Sequence, residues 1–452
     1  MEKGNKKIIR GWIAYDWANS VYNLVISSAI FPIFFDNVTK KKYATETFGI
    51  KESEYALFAF DSEKGNVMVD YFGINLSSSV LYSLVLSASF LLVSFLSPLL
   101  SGVADYSGSK KKFIKFFCYL GAFSCMTLFF FDADHLEWGM LSVFMASIGY
   151  WNSLVFYNAF LPEIADVKDH DRISAKGFTM GYLGSMLLLL ICLGIIMGIG
   201  REYTKYCFIL VGLWWVGFSQ ITYRSLPNNV YNKKPGNGVL WKGFRELRIV
   251  FKEFKKTKRL KRYLISFFFF NTGVQTVMLM ATIFANKEIS WPQGSGTTGL
   301  IVAILLIQIL GAIGAFTMSR ISEKIGNIRT LFISVSIWIA ICVFAYFIKT
   351  PFEFYLLASA VGLVMGGVQA IARSTYSKFL PETTDHASYF SFYDVSEKIG
   401  IVLGTLFFGL MEYWTGSIRY SVLAVGFFFV FGLLFLLFVP KEETIQEAKI
   451  PA

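Results

Sequence analysis

The sequence predicts an all-α integral membrane protein of twelve transmembrane helices, arranged as two pseudo-symmetric six-helix halves. Three observations predict it. Of the 452 residues, 55% are apolar and only 16% charged, against roughly 25% charged in an average soluble protein. The apolar residues fall in long runs such as 11–35, 76–103, 178–200 and 422–439, and a run of about 18 or more crosses the hydrocarbon core of a bilayer. Short polar and small-residue patterns also recur between the first and second halves of the chain. This composition excludes a disordered chain, which needs low hydrophobicity. Barrel strands are excluded because they would show segments of about ten residues with alternating polarity.

The basic start (Lys3, Lys6, Lys7, Arg10) leads into an apolar stretch that continues through Pro32 to Phe35. That is longer than the roughly 7–15-residue core of a secretory signal, so it reads as a retained first span, 12–35. The other spans are expected near 73–104, 113–131, 136–160, 176–200, 205–224, 263–285, 297–319, 329–348, 352–376, 389–412 and 418–440. With the N-terminus inside, the inner segments hold 31 Lys and Arg and the outer segments 10. By the positive-inside rule both termini are then cytoplasmic, in a plasma (inner) membrane. The +11 net charge is thus a topology signal, and no nucleic-acid partner is expected. The domains are 1–225, a linker 226–262, and 263–452. Within the linker 228–238 is turn-rich, and 240–262 sets Trp241, Phe244, Leu247, Phe251 and Phe254 at helical spacing among Lys and Arg. Such a helix suits the surface of an anionic inner leaflet.

The internal duplication runs at an offset of 218 or 219 residues, and of 252 for span 1, the difference being absorbed by the long first outer loop, 36–72. Leu161-Pro162-Glu163 recurs as Leu380-Pro381-Glu382, and Gly177, Gly181 and Ser185 of span 5 meet Ser396, Gly400 and Gly404 of span 11. Asp105, Gly108 and Lys111 meet Glu323, Gly326 and Arg329, and Asn19 and Asn23 of span 1 meet Asn271 and Gln275 of span 7. Two halves of like orientation make the parallel repeat known in transporters.

Gly102-Val103-Ala104-Asp105-Tyr106-Ser107-Gly108-Ser109-Lys110-Lys111-Lys112 lies between spans 2 and 3. Its glycines permit a tight turn, and the Asp105 carboxylate can accept hydrogen bonds at a neighbouring helix N-terminus. The segment resembles the loop signature of the major facilitator superfamily, with Tyr106 where the family pattern has an arginine. Gly11-Trp12-Ile13-Ala14-Tyr15-Asp16-Trp17-Ala18-Asn19-Ser20, Tyr157-Asn158-Ala159-Phe160-Leu161-Pro162-Glu163-Ile164, Gly181-Tyr182-Leu183-Gly184 and Arg373-Ser374 followed by Phe392-Tyr393-Asp394-Val395-Ser396 resemble the vacuolar effluxer-like family of that superfamily. The resemblance implies a secondary transporter of small solutes. Eukaryotic members of the family are linked to amino-acid export from the vacuole, which makes an amino acid one solute class.

A charge at the centre of a span costs about 2.5–3.5 kcal/mol on insertion scales and faces a cavity or a partner. Asp16, Asn19 and Asn23 share one face of span 1; Asn271 and Gln275 repeat two of these positions; Asn152 in span 4 and Gln369 with Arg373 in span 10 add more. In the superfamily spans 1, 4, 7 and 10 line the central cavity, so Asn19, Asn23, Asn152, Asn271, Gln275, Gln369 and Arg373 are the expected substrate contacts. Asp16 is the first choice for proton coupling, with Arg373 as its partner or as the holder of a substrate carboxylate; the other reading has Asp16 orient the start of span 1. Asp394 and Lys398, at i and i+4 with Glu397 between them, form either a self-neutralising pair or a gate. The small residues of spans 5 and 11 make ridges that read as sliding contacts, with static packing as the alternative.

Enzyme chemistry finds little support. His135, His170 and His386 have no metal-ligand spacing, no phosphate-binding loop is present, and Cys118, Cys125, Cys192, Cys207 and Cys342 read as small core residues. No cofactor or metal is expected. The reading is a monomeric permease with a small-molecule substrate, working by alternating access and coupled to protons; the alternative is a solute sensor on a transporter scaffold.

Overall fold

The computed structural model describes residues 3–50, 67–231, 238–293 and 295–441. Parts of the expected first outer loop (51–66), of the turn-rich linker (232–237) and of the C-terminal half (442–452) lie outside the described residues. Among the described residues, eleven helical stretches are long and apolar enough to cross a membrane.

The first stretch, Lys6–Phe48, joins α1 (Lys6–Val21), a π-helical segment (Tyr22–Ala29) and α2 (Ile30–Phe48). The π geometry has a local cause. Pro32 has no N–H, and in a continuous α-helix its ring would crowd the carbonyl of Ser28. The Ser28 hydroxyl instead donates to the Asn23 carbonyl, 2.8 Å away. The helix runs past the expected end at Phe35, where the i,i+4 pairs Asp36–Lys40 and Lys42–Glu46 support it, and it stops at Gly49, whose φ of 65° supplies a left-handed cap. A hairpin then interrupts the expected start of span 2: β1 (Met68–Tyr71) pairs antiparallel with β2 (Ile74–Ser77), with Tyr71 opposite Ile74. Phe72 and Gly73 turn the corner at φ 51° and 79°, as a two-residue hairpin turn requires.

The N-terminal half continues with α3 (Ser78–Ser107), α4 (Lys110–Thr127), α5 (Leu136–Asn158), the short α6 (Leu161–Ile164), α7 (His170–Gly198) and α8 (Thr204–Ser225). The linker helix α9 (Val239–Lys256) is followed by α10 (Lys258–Glu288), α11 (Gly296–Ile325), α12 (Asn327–Phe347), α13 (Pro351–Phe379), α14 (His386–Thr415) and α15 (Ile418–Leu437). The amphipathic linker helix was expected to reach Arg262; it ends at Lys256, and 258–262 form the first turns of α10. Helix α14 has 30 residues, enough to span, but its Asp394, Glu397 and Lys398 keep it out of the eleven apolar stretches. The start of α13 is fixed by Thr350 and Glu353 in a reciprocal capping box with Pro351 at the first helical position.

In the N-terminal half α1 packs on α7 and α8, and α4 on α5 and α8; in the C-terminal half α10 packs on α14 and α15. The tightest pair is α11 with α13. A Cβ on Gly314 would strike the backbone carbonyl of Leu363, and one on Gly366 the carbonyl of Gly311. The two backbones therefore touch, an approach that only small residues allow. The halves meet along α3–α14 and where α7 contacts α11 and α13.

The small-residue ridges are close-packed against neighbouring helices. Gly181 lies against Ser20 of α1, Gly400 against Thr272 and Gly404 against Thr276 of α10. They bring α7 to α1 and α14 to α10 within each half, while Gly177 and Ser185 of the same ridge also face Arg373 and Gln308 of the other half. Linker helix α9 packs on α3 rather than lying free: Gly243 sits against Val103, and Val250 is buried.

Candidate functional site

The end of the bundle that carries Gly4, α9 and the loop after α3 is here termed the basic face. Its closing layer is built on α1. About three turns into α1 the Asp16 carboxylate is buried and meets Arg373 of α13 across the two halves: Arg373 Nη2 lies 3.1 Å from Asp16 Oδ2. The Tyr157 hydroxyl donates to the same oxygen at 2.8 Å. Arg373 also donates through Nε to Ser174 Oγ at 2.9 Å, through Nη2 to the Ser174 carbonyl at 2.9 Å, and through Nη1 to Asn158 Oδ1 at 3.3 Å. The guanidinium lies 4.2 Å from the Phe178 ring centre and 4.8 Å from that of Trp12, a cation–π arrangement. Such a fully partnered guanidinium is how a charge is tolerated inside a span.

Two further ties cross between the halves at this face, and they are related by the repeat. Asp105, after α3, accepts from the backbone N–H of Ala387 (3.2 Å) and Ser388 (2.7 Å) at the start of α14. Lys110 pairs with Asp105 at 3.1 Å and with Glu163, and His386 Nδ1 lies 3.2 Å from Glu163 Oε1. In the mirrored position Asn327, at the start of α12, donates to Asp171 Oδ1 (2.6 Å) in the first turn of α7. Lys378 and Ser322 donate to Asp171 Oδ2 at 2.6 and 3.1 Å. In the loop motif Lys111 Nζ donates to the Leu226 carbonyl at 2.7 Å. Gly108 makes the tight turn at φ 65°. Gly102 does not turn: it is helical and makes room for Gly243 of α9. Lys242 lies 5.8 Å over the Tyr106 ring, a cation on the residue that replaces the family arginine.

A second polar layer lies deeper. Lys398 is fully buried, 2.9 Å from Asp394 and 3.0 Å from Glu397. Its Nζ is 3.5 Å from the ring centre of Trp151 in the other half. Gln275 donates to Glu397 at 3.0 Å, and the Tyr182 hydroxyl donates to Gln369 at 2.8 Å. Among the described residues, polar contacts between the halves run from the basic face to Ser185–Gln308 near the middle of α7, and none is found beyond. Ion pairs near the far end, Lys42–Asp134, Lys287–Glu412 and Arg419–Glu288, each stay within one half.

Asp16, Ser20, Asn23 and Ser27 fall on one stripe of the first span. At Asp16 the stripe is sealed by Arg373; at Asn23 it is exposed and at Ser27 half-buried. The halves are therefore closed at the basic face and separated further along.

The structure brings Asn23, Gln275, Gln369 and Glu397 toward this gap and seats Asp394 and Lys398 in the buried layer beside it. It does not bring three other candidates there. Asn19 is buried with its Nδ2 unpartnered, Asn271 likewise, and Asn152 is buried with Nδ2 bonded to the Ile148 carbonyl inside its own half. One residue along an α-helix is about 100° of rotation, and on α5 the inward stripe is Trp151, Leu154 and Asn158. Residues not singled out by the sequence include Trp151, Ser174, Asp171 and Lys378. An inward stripe drawn through Asn158 would have found Trp151; Asp171 and Lys378 carry no local signal.

Residues 4–449 match a protein family described as "Vacuole effluxer Atg22 like". The chain is similar to an uncharacterized MFS-type transporter, YxiO, of Bacillus subtilis, with 28% identity over 98% of this chain and 97% of the relative. It is 23% identical to autophagy-related protein 22 of Coccidioides immitis, over 98% of this chain and 88% of that protein. Among solved structures, the fucose:proton symporter FucP of E. coli superposes with a TM-score of 0.64 at 13% identity, covering 96% of this chain and 98% of that one. That likeness establishes the major facilitator fold.

Proposed function

The chain belongs to the Atg22-like vacuole effluxer family, and from that premise we propose that it is a proton-coupled transporter that moves a small amino-acid-like solute by alternating access. The observation that carries the reading is the Asp16–Arg373 pair. It joins the two halves at 3.1 Å on the same stripe that lies exposed at Asn23. A protonated Asp16 loses its charge and with it most of its attraction to Arg373, so a proton biases the closed state against the open one. The deeper layer suits a zwitterion. Glu397 faces an incoming ammonium, while the amides of Asn23, Gln275 and Gln369 and the Tyr182 hydroxyl offer hydrogen bonds to a carboxylate. Trp151 and Lys398 form the floor.

The test is uptake into proteoliposomes with and without an imposed pH gradient, normalised to folded protein. Asp16→Asn keeps an acceptor for Arg373 but has no titratable charge. It is expected to lower gradient-driven accumulation at least tenfold while solute exchange without a gradient persists. Intact gradient-driven accumulation in the Asn variant would falsify the coupling role and leave Asp16 as a residue that orients α1.

The basic face is assigned to the cytoplasm on the charge asymmetry of the loops. On a cysteine-free background, a cysteine at the exposed hairpin residue Phe72 should be labelled by a membrane-impermeant reagent from outside whole cells, and one at Arg248 of α9 should not. The opposite pattern reverses the orientation.

A further inference from the structure

Where α9 gives way to α10, Lys255, Lys256, Lys258 and Lys261 line a cavity of about 410 Å³. A second cavity, of about 240 Å³, shares Lys261 and is otherwise walled by Phe254, Leu264, Ile265, Phe268 and Ser396. We propose that the two together bind one anionic glycerophospholipid from the leaflet at the basic face, its phosphate among the lysines and an acyl chain along the groove between α10 and α14.

Three features argue for this occupant. The first is the order of chemistry along α10. Lys261, Leu264, Ile265 and Phe268 stand at i, i+3, i+4 and i+7, on one face. From Lys261 to Phe268 is about 10 Å at 1.5 Å per residue, and over that distance the face changes from cationic to apolar, as a lipid does from headgroup to chain. The second is charge. Among the described residues, Lys255, Lys256 and Lys261 take part in no ion pair with an acid. The neighbouring arginines are engaged elsewhere: Arg259 lies 3.8 Å over the Phe379 ring and Arg262 donates to the Phe438 carbonyl. A cluster of like charges of this kind draws an anion. The third is position. Ile265 is exposed two turns into α10, at the start of its apolar run, where the solvent is lipid, so a soluble anion has no use for the second cavity. The bound lipid touches the linker helix through Phe254 and the C-terminal half through α10 and α14, whereas α9 is seated on α3 of the N-terminal half. It therefore contacts parts of the protein that alternating access moves relative to one another.

The experiment is native mass spectrometry of the full chain in neutral detergent, titrated with phosphatidylglycerol or phosphatidylcholine of identical chains, with inorganic phosphate as competitor. Phosphatidylglycerol is expected to bind at least tenfold more tightly than phosphatidylcholine. A Lys255→Gln/Lys256→Gln/Lys261→Gln variant should lose at least tenfold of that affinity, and Ile265→Asn at least threefold, with thermal midpoints in neutral detergent unchanged. Equal affinity for the two lipids, wild-type binding by the triple variant, or wild-type binding by Ile265→Asn each overturns the proposal. Displacement of the lipid by equimolar phosphate also overturns it, since that marks a site for a soluble anion.

Discussion

Gly177→Val is expected to hold the basic face open and reduce transport at least a hundredfold. Gly177 of α7 lies against the Asp16–Arg373 pair. A Cβ there would overlap Asp16 Oδ2, sit 2.8 Å from Arg373 Nη2 and lie 3.3 Å from the Trp12 ring. The carboxylate cannot step aside without leaving Arg373 and Tyr157, so the substitution competes directly with the ion pair. Separation of the pair costs little only when the halves part and water reaches both charges. The variant therefore selects the conformation in which this face is open. Spin labels on exposed residues of the two halves, at Arg172 and Glu382, should move apart relative to wild type, and solute exchange should fall with accumulation because the closed state is missing. An unchanged distance with normal transport would show that the layer does not govern the opening.

Lys398→Met should be the most destabilising of the single substitutions considered. It leaves Asp394 and Glu397 in a low-dielectric layer without the cation they share, and the Trp151 ring without its partner. Removing one member of a buried pair costs about 3–5 kcal/mol, and the thermal midpoint of the detergent-solubilised protein should fall by roughly 5–10 °C. Adding Glu397→Gln to Lys398→Met should restore part of the loss, because the two residues are in contact and their effects do not add. If the double variant is less stable than Lys398→Met alone, the three charges do not act as a unit.

The helices were legible because each apolar run is both long and bounded by charge. The hairpin at 68–77 was not: Met68, Val69, Ile74 and Leu76 are as apolar as the span that follows, and only the tight pairing across Phe72-Gly73 sets them apart. For the site, the sequence put Asp16 and Arg373 near the same face of the membrane, and the structure closes them into a pair although 357 positions separate them. What polarity alone cannot give is rotation about a helix axis. Asn152 has the amide, yet its neighbour Trp151 faces the other half. The repeat also misleads where its copies have diverged in use. Glu163 is buried with Lys110 and His386, whereas its counterpart Glu382 is exposed; the mirrored tie is carried by Asp171, Asn327 and Lys378, which the Leu-Pro-Glu match does not mark.

The contact of backbone on backbone between α11 and α13 makes a lever of them. Two helices that touch through Gly311, Gly314, Gly362 and Gly366 have no compliant side chains between them to absorb a shear, so they swing as one beam. Arg373 sits near one end of that beam, and the start of α13 at Pro351 is about 33 Å away at 1.5 Å per residue. A swing of about 10° pivoting at the level of Arg373 carries the far end through roughly 6 Å. Displacements of an ångström or so around the ion pair thus become, at the other end, an aperture as wide as a small solute.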